Sequence, residues 1–327
     1  MRQRLAGRRR DTRWGRLLNF LLGVPLLLRV RSLPAAAGAE LFDIHPPEGV
    51  TLTNPCVSVV DGQLMVALRE VNHVIDGRGR YVPRGDTELR SATWLASLDG
   101  DLEVRGFTRL ELPPSEGSFE DARMIETDGV LTFFWSRRTV NAGALKHEIV
   151  VGELGEGSIG RLRTLRSPHE RPVEKNWMPH VQDGDLRVVY ELANLEVHRV
   201  APLGLEHVGS LDESLTDLAG HSGSSQLVPW GTGWLGISHW FLWTQGPAKA
   251  LAPRIYFHHF VRFDRDLRRA QVSAPFIFRK RGIEFCAGLA LLDDELWLSF
   301  GLDDATAHLA RVPIARVDAM FRSAGAG

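Results

Sequence analysis

The stretch Val57-Ser-Val-Val-Asp-Gly-Gln-Leu-Met-Val-Ala-Leu-Arg69 predicts two short apolar strands joined by a tight turn. Its central Asp-Gly pair is a hairpin signal, because the second residue of such a turn must accept a positive φ angle. The same pattern recurs four times, in 124–136, 180–191, 227–239 and 289–301. The predicted turns of these later stretches begin at Asp128, Asp183, Thr232 and Asp293.

The spacing of these turns decides the fold class. Starting from Asp61, successive turns are 67, 55, 49 and 61 residues apart. A period of roughly 50–60 residues with several strands per unit is typical of a β-propeller. The sequence therefore predicts an all-β, five-bladed β-propeller. We expect a basic N-terminal extension over 1–40, the propeller over 41–314 and a C-terminal tail over 315–327.

Blade boundaries follow from the repeats. We expect the blades to span about 41–112, 119–165, 174–211, 220–278 and 282–312. The first blade contains a polar insertion over 72–89, predicted as a loop over one face, and the fourth contains a loop over 244–253. Residues 315–321 are predicted to form a short helix, and residues 323–327 are expected to fray.

Overall charge excludes some classes of function. The formal net charge of the 327-residue chain is −1, so no global field favours nucleic acid. The sequence has no phosphate-binding Walker motif and no metal motif of the Cys-x-x-Cys or His-Glu-x-x-His kind, and it predicts no cofactor. Cys56 and Cys286 fall in the first and last blades, where a disulfide is conceivable, but two small buried apolar residues are the favoured interpretation.

The N-terminal segment allows several interpretations. Residues 1–31 contain nine Arg and one Asp, and an apolar run over 17–28 precedes small residues at 35–39. This resembles a signal peptide, but Pro25 interrupts the run, which is followed at once by Arg29 and Arg31. The run is also too short to span a bilayer. We expect a cytoplasmic protein in which this segment contacts a membrane surface or packs as a helix on the propeller.

Polar residues precede the first strand of every predicted blade. They occur in Thr53-Asn54-Pro55, Phe119-Glu120-Asp121-Ala122-Arg123, Glu174-Lys175-Asn176-Trp177, 221–226 and Gly282-Ile283-Glu284-Phe285. Since the innermost strands of a propeller line its axis, we expect these residues to converge in one polar funnel. Polar residues also follow the second strands, as at Arg69, 136–138, Glu191, His239 and 303–304.

Asp121 is the strongest catalytic candidate in this funnel. Glycoside cleavage needs a proton donor near the leaving oxygen. The alternative is an Asp that caps the strand entry or forms a salt bridge with Arg123. His180, His239, His258 and His259 are more often structural groups than catalysts. The tryptophans are expected in the blade cores, with one or two at the mouth able to stack on a sugar.

These motifs resemble glycoside hydrolase family 130, the β-mannoside phosphorylases and hydrolases with the related mannosyltransferase-phosphorylases, over residues 50–312. The resemblance rests on Asn54-Pro55 followed by Arg69, on Glu120-Asp121-Ala122-Arg123, where the family has Pro at the third position, and on His239 with Tyr256. Gly301-Leu-Asp-Asp304 matches the Gly-x-x-Asp pattern of the last blade. The resemblance implies that Asp121 is the general acid, acting directly or through a sugar hydroxyl.

The resemblance also implies two sets of binding residues. Sugar binding is expected from Asn54, Arg69, Glu120, Arg123, Lys175, Asn176, Trp177, Gln226, Glu284 and Asp304. Binding of phosphate or a phosphorylated donor is expected from Arg137, Arg138, His239 and Tyr256, with Lys175 nearby.

Three functional hypotheses follow. The first is an inverting phosphorylase or hydrolase that acts on a β-mannoside or similar sugar, with a glycan and inorganic phosphate or a sugar phosphate as its partners. The second is a glycosyltransferase that uses a nucleotide sugar or a sugar phosphate. The third is a glycan-binding propeller without catalysis.

Overall fold

The computed structural model describes residues 27, 29–77, 79–85, 88–99, 103–113, 117–141, 143–202, 204–244 and 252–324. The N-terminal elements are β1 (Arg31–Ser32), α1 (Leu33–Ala37) and β2 (Glu40–Ile44). The next strands are β3 (Leu52–Val60), β4 (Gln63–Val71), β5 (His73–Ile75), β6 (Tyr81–Pro83), β7 (Ser91–Leu98) and β8 (Val104–Arg109). They are followed by β9 (Ser118–Thr127), β10 (Val130–Asn141), β11 (Ala144–Leu154), β12 (Ile159–Leu165), β13 (Met178–Gln182), β14 (Asp185–Glu191), β15 (Glu196–Ala201) and β16 (Gly204–Gly209). The last elements are β17 (Ser222–Gly223), β18 (Val228–Trp230), β19 (Gly233–Trp243), β20 (Arg254–Phe263), β21 (Ala270–Val272), β22 (Phe276–Ile277), β23 (Glu284–Leu292), β24 (Glu295–Leu302), β25 (Thr306–Pro313) and α2 (Ile314–Ala324).

The fold is an all-β propeller. Within the described residues, four sheets have four strands each, and we name them the first, second, third and last blades. Their strands, from the centre outward, are β3-β4-β7-β8, β9-β10-β11-β12, β13-β14-β15-β16 and β23-β24-β25-β2. The strands β3, β9, β13 and β23 lie together around the centre. The entry residues of these strands therefore meet on one axis, as the sequence predicted.

The predicted count of five blades is corrected. The described residues form four regular blades, and the segment expected as blade four forms a seven-stranded sheet that contains β1 and β17–β22. Its inner edge is split into the short β17 and β18, because the chain between them leaves the sheet to bond with other blades. There, Ser224 Oγ donates to the Cys286 carbonyl, and the Leu227 N–H donates to the Pro179 carbonyl.

The N-terminal strand β2 corrects a second boundary. Residues from Leu41 onward were expected in the first blade, but β2 pairs antiparallel with β25 and is the outermost strand of the last blade. Helix α2 confirms the predicted C-terminal helix and extends it to Ile314–Ala324. Fraying was expected over 323–327, but 323–324 belong to this helix, and 325–327 lie outside the described residues.

Most predicted turns are confirmed. The pairs that begin at Asp61, Asp128 and Asp183 all have positive φ angles, as does the Asp293-Asp294 pair. The fourth turn is shifted by one residue: it consists of Gly231 and Thr232, with Gly231 at φ +58°. Glycine adopts this angle without steric cost, whereas a β-branched threonine does not.

Apolar clusters hold neighbouring sheets together. One cluster joins the first blade to the last, another the first to the second, and a third the second to the third. Two further clusters join the seven-stranded sheet to the third blade and to the last blade. The α1 residues Leu33 and Ala37 pack with Val317 and Phe321 of α2 in the last of these clusters.

Candidate functional site

A cavity of about 470 Å³ lies where the inner strands meet. Its size falls within the range of small-molecule sites. It brings together ten of the predicted site residues: Asn54, Arg69, Glu120, Asp121, Arg138, Lys175, Asn176, His239, Tyr256 and Asp304. The funnel expected from the sequence is therefore present, although the roles of its members stay predictions.

A β-bulge explains how two adjacent carboxylates face the same cavity. Side chains of a regular strand alternate between faces, yet Glu120 and Asp121 both line the cavity. Between the pairs Phe134–Arg123 and Ser136–Glu120, two residues of β9 lie opposite one residue of β10. Asp121 is the left-handed residue of this bulge, with φ +48°. Such bulges re-aim side chains next to active sites.

A similar β-bulge with a left-handed residue occurs in the first blade. The β3–β4 register shifts between Thr53 and Cys56, and Asn54 there has φ +44°. Asn176, which precedes the inner strand of the third blade, has φ +64°. Asn and Asp tolerate this left-handed region better than most residues. The entry positions of three units therefore point polar side chains at the axis by the same backbone distortion.

Asp121 belongs to a charge network. Arg69 Nη1 donates to Asp121 Oδ1 at 3.1 Å, and Arg69 Nη2 lies 3.3 Å from Glu120 Oε1. Lys175 Nζ donates to the other oxygen of Glu120 at 2.7 Å. Two cations from the first and third units thus neutralise two carboxylates of the second blade.

Asn54 links Asp121 to a third carboxylate. Its Nδ2 donates to Asp121 Oδ1 at 3.0 Å and to Asp304 Oδ1 at 3.1 Å. His73 Nε2 lies 3.8 Å from Asp304 Oδ2 on the other side. All three cavity carboxylates of the described residues are therefore connected through Asn54 and Arg69.

The network determines the protonation states. Burial raises the pKa of Asp121, but Arg69, Lys175 and Arg123 outweigh it and lower this pKa to about 2. Burial likewise opposes the lowered pKa of Glu120, which is due to Arg69 and Lys175. Burial and Lys175 lower the pKa of His147 to about 4. At neutral pH the site therefore holds ionised carboxylates and a neutral His147.

The wall formed by β10 and β11 is basic. Arg138 lines the cavity, and its cross-strand partner is His147. His147 Nδ1 lies 3.1 Å from Ser136 Oγ, which belongs to the same face of β10. Within the described part of the chain, no salt bridge involves Arg138. Its guanidinium is thus available to an anionic ligand.

The wall formed by β19 and β20 combines aromatic rings with a guanidinium. The His239 ring is stacked on Tyr256 at 5.7 Å, and Phe241 lies 5.4 Å from the same Tyr256 ring. Arg254 lies over Phe241 and Trp243 at 6.0 and 5.3 Å from the ring centroids. Burial and Arg123 lower the pKa of His239 to about 3, so this imidazole is neutral.

Five predicted site residues do not line the cavity. Arg123 is buried beneath it, where its guanidinium donates to the carbonyls of Asp121 and Ser224 and to Asn176 Oδ1. Arg137 lies on the opposite face of β10 from Arg138 and pairs with Glu148 at 3.0 Å. The structure thereby separates two neighbouring arginines that the sequence could not distinguish.

The other three, Gln226, Trp177 and Glu284, form hydrogen bonds with groups in the protein interior instead. Gln226 Nε2 donates to the carbonyls of Val57 and Leu289, both at 2.8 Å. The Trp177 indole donates to Glu174 at 3.1 Å. Both oxygens of the fully buried Glu284 accept backbone N–H bonds from 278–280. Burial raises the pKa of Glu284 to about 7 against these three bonds.

The structure adds site residues that the sequence analysis missed. His73 and Tyr81 come from the hairpin β5–β6, which replaces the predicted loop over one face. His147 and Arg254 also line the cavity. Strand alternation carried a signal for Arg254, which lies two residues before Tyr256 on one face of β20. Most of the other predicted loop, 245–251, lies outside the described residues.

The remaining predicted groups do not line the cavity. Cys56 and Cys286 are free and fully buried, as favoured. His180 and His258 are fully buried as well, whereas His259 Nδ1 lies 2.9 Å from the Ser273 carbonyl. Within the described chain, no group of three or more His, Cys, Asp or Glu side chains is arranged to hold a metal ion. None of the described helices is long and apolar enough to cross a bilayer.

Comparison with solved structures gives clear likenesses of fold. A glycoside hydrolase family 130 structure, from work on mannoside phosphorylases and on hydrolases that target β-1,2-mannosidic linkages in Candida mannan, matches with TM-score 0.56 and 14% identity over 82% of this chain and 86% of that one. This chain resembles the propellers of glycoside hydrolase family 130. A mannose phosphorylase from Leishmania mexicana, solved with phosphate, matches with TM-score 0.53 and 14% identity over 84% and 87% of the two chains.

A third structure with a similar fold belongs to a protein with a different activity. A GDP-Man-dependent mannosyltransferase from Leishmania mexicana matches with TM-score 0.54 and 13% identity over 84% of this chain and 89% of that one. No protein-family profile and no curated protein sequence matches the chain. The predicted membrane contact of residues 1–31 falls outside the described residues except for 27 and 29–31, and the comparisons do not support it.

Proposed function

We propose that the protein is a carbohydrate-active enzyme that makes or cleaves a β-mannosidic bond, or a similar glycosidic bond, with inversion. One observation carries the proposal. The Asp121 carboxylate lies in a closed-in cavity, held by Asn54 at 3.0 Å and Arg69 at 3.1 Å, on a strained backbone with φ +48°. A buried, ionised carboxylate on a left-handed bulge residue that lines a cavity is a feature that clusters at active sites. The fold likeness to mannoside-active propellers supports the choice of sugar.

The ionised state of Asp121 suggests that it first accepts a proton rather than donating one. With a pKa of about 2, Asp121 begins as a base. During bond formation it takes the proton of the acceptor hydroxyl, directly or through a sugar hydroxyl. The acceptor oxygen then forms its bond to the anomeric carbon, while the bond from that carbon to the phosphate oxygen breaks and the phosphate leaves with the electron pair. In cleavage the same proton returns to the leaving oxygen.

The charge distribution favours an anionic nucleophile or donor over water. An inverting hydrolase needs a second carboxylate about 6.5–9.5 Å from the acid to activate water. The three described cavity carboxylates are joined to one another through Asn54 and Arg69. The other walls present Arg138, His147 and Arg254. We assign Arg138 and Arg254 to the phosphate of the donor, because planar guanidinium groups bind phosphate oxygens bidentately.

A transferase is the second candidate. The fold is about as similar to the GDP-Man-dependent mannosyltransferase, with TM-score 0.54, as to the phosphorylase, with TM-score 0.53. The Arg138 guanidinium, which has no salt bridge within the described residues, suits the phosphate of either donor. A glycan-binding protein without catalysis is disfavoured, since sugar binding alone does not need three buried carboxylates among arginines.

Product analysis distinguishes these functions. The purified protein receives a panel of acceptor glycans with mannose 1-phosphate in one arm and GDP-mannose in the other, and Asp121→Asn serves as the control. Extension from mannose 1-phosphate with release of inorganic phosphate supports a phosphorylase, and extension from GDP-mannose alone supports a transferase. Glycan binding with no turnover of either donor, and with no cleavage of β-mannosides in the presence or absence of phosphate, would indicate the third function, and the catalytic proposal would be wrong.

We further propose that the seven-stranded sheet fills the fifth position of the propeller ring. The apolar clusters that join it to the third and last blades support this arrangement. The division into 1–40, 41–314 and 315–327 and a cytoplasmic location stay proposals. Limited proteolysis and cell fractionation test them.

A further inference from the structure

Part of the rim of the central cavity is apolar. Three of its lining side chains, Tyr81, Leu145 and Val173, are large and exposed, with 43%, 46% and 46% of their surface accessible. Most apolar residues of such size are buried in this fold. Contiguous exposed apolar surface at a cavity mouth usually marks a binding site.

The three side chains come from separate parts of the chain. Tyr81 belongs to the hairpin β5–β6 and lies edge-on to His73 with 5.0 Å between ring centroids. Leu145 is at the tip of the β10–β11 hairpin, opposite Val140, which is 53% exposed. Val173 forms a bridge beside His147. Three unrelated segments thus place apolar groups around one opening.

The groups below this rim are polar. Asp121, Arg69 and Lys175 line the same cavity and are joined in the charge network described above. The cavity is therefore amphipathic: charged groups and exposed apolar groups line it together, and the exposed Arg90 lines it as well. A ligand that complements it has a hydroxyl-rich end and an apolar end.

We propose that the acceptor is a sugar with an apolar aglycone, an alkyl or aryl group that lies against Tyr81, Leu145 and Val173. This inference rests on the proposed function, because it names the class of acceptor for the same site. A small substituent fits better than a protein surface, since the three side chains line a concave mouth that is continuous with the cavity of about 470 Å³.

Calorimetry with alkyl mannosides tests the proposal without requiring turnover. Methyl, butyl and hexyl β-D-mannopyranoside are titrated into the full-length protein. Each buried methylene should strengthen binding about two- to fourfold. The heat-capacity change of binding should become more negative with chain length, as expected when apolar surface is buried. Equal affinities for the three ligands would overturn the inference while leaving the proposed function standing.

Variants locate the effect. Leu145→Asn and Val173→Asn should bring the hexyl-to-methyl affinity ratio close to one. The matched control Val208→Asn changes a valine that is 45% exposed on β16 and does not line the cavity, and it should keep the ratio of the unchanged protein. A ratio that persists in both rim variants would overturn the proposal.

Two further outcomes are decisive. If light scattering shows an oligomer that the rim variants dissociate, the rim is an interface between chains and the proposal is wrong. If no mannoside binds and neither donor is turned over, the proposed function fails, and the inference fails with it. Turnover of methyl mannoside together with a gain for the hexyl compound supports both.

Discussion

Arg69 of the first blade donates a hydrogen bond to the carboxylate of Asp121 of the second blade, over 3.1 Å. This contact across a blade boundary makes the ionisation of the proposed catalytic group depend on how two blades pack. Burial alone would raise the pKa of Asp121, and the guanidinium reverses that effect. Several predictions about the site depend on this arrangement.

Asp121→Asn should lower kcat by about 10²–10⁴-fold, the usual contribution of a positioned proton-transfer group. Asparagine tolerates the φ of +48° and can keep a bond with Arg69, so fold and glycan binding should persist. Asp128→Asn is the matched control, because Asp128 also has a left-handed φ, of +51°, but lies in a hairpin turn outside the cavity. Equal kinetics for the two variants would refute the role of Asp121.

Arg138→Gln should raise KM for the phosphorylated donor about 10–100-fold, since hydrogen bonds to charged groups contribute about 1.5–3 kcal/mol. Arg137→Gln should leave that KM nearly unchanged, because Arg137 pairs with Glu148 on the other face of the strand. Steady-state kinetics with varied donor and saturating acceptor measure both. The assignment is wrong if the two variants behave alike.

Gly301→Ala should damage the site more than its size suggests. A Cβ at Gly301 would lie 2.6 Å from the backbone nitrogen of Asn54, which must then move. Overpacking of this kind costs about 1–3 kcal/mol of stability. Because Asn54 holds both Asp121 and Asp304, kcat/KM should fall as well.

Gly160→Ala is the control for that substitution, since nothing lies within 4 Å of the added carbon there. Thermal unfolding and kinetics on the two variants separate the effects. Normal activity in a stable Gly301→Ala protein would show that the position of Asn54 is unimportant.

Stability should fall in mild acid because of buried neutral histidines. Burial and Arg187 lower the pKa of His180 to about 3, against roughly 6.5 when unfolded. Below about pH 6 the unfolded state binds a proton that the native state does not, so the free energy of unfolding falls as pH falls. The slope is about 1.4 kcal/mol per pH unit for each such histidine until the native pKa is reached.

His180→Phe should reduce that slope by about 1.4 kcal/mol per pH unit between pH 6 and pH 4, because one proton fewer is taken up on unfolding. Phenylalanine can retain the edge-on contact with Trp234, in which the ring centroids are now 5.2 Å apart. Urea unfolding at several pH values measures the slope. An unchanged slope would mean that His180 does not contribute to it.

Local sequence signals predicted the turns well. Asp-Gly pairs at Asp61, Asp128 and Asp183 fix their own backbone angles, so no distant contact was needed. The seven-stranded sheet was not predictable in the same way. Its inner edge is divided by contacts with Cys286 and Pro179, which are far away in sequence.

The site was predictable for residues whose position depends only on where they stand in the repeat. Asn54, Asp121 and Asn176, at the starts of inner strands, are examples. Gln226 and Glu284 stand at the same position in their repeats, yet their side chains bond to backbone groups instead of lining the cavity. Sequence does not reveal whether a buried polar side chain faces a cavity or a neighbouring main chain. Tyr81 reaches the cavity only because its hairpin folds over the mouth, which depends on tertiary closure.

The pairing of β2 with β25 has a consequence for how the molecule assembles. The last blade receives its outer strand from Glu40–Ile44 and its other strands from Glu284–Pro313, and Arg311 contacts Glu40 across a separation of 271 residues. Residues as far as Arg311 must therefore be synthesised before β2 can complete its pairing with β25. Contacts so distant along the chain carry a large loop-closure entropy and slow folding. The pairing of β2 with β25 therefore attaches Glu40–Ile44 to the last blade, and this blade cannot lose its outer strand without breaking that long-range contact.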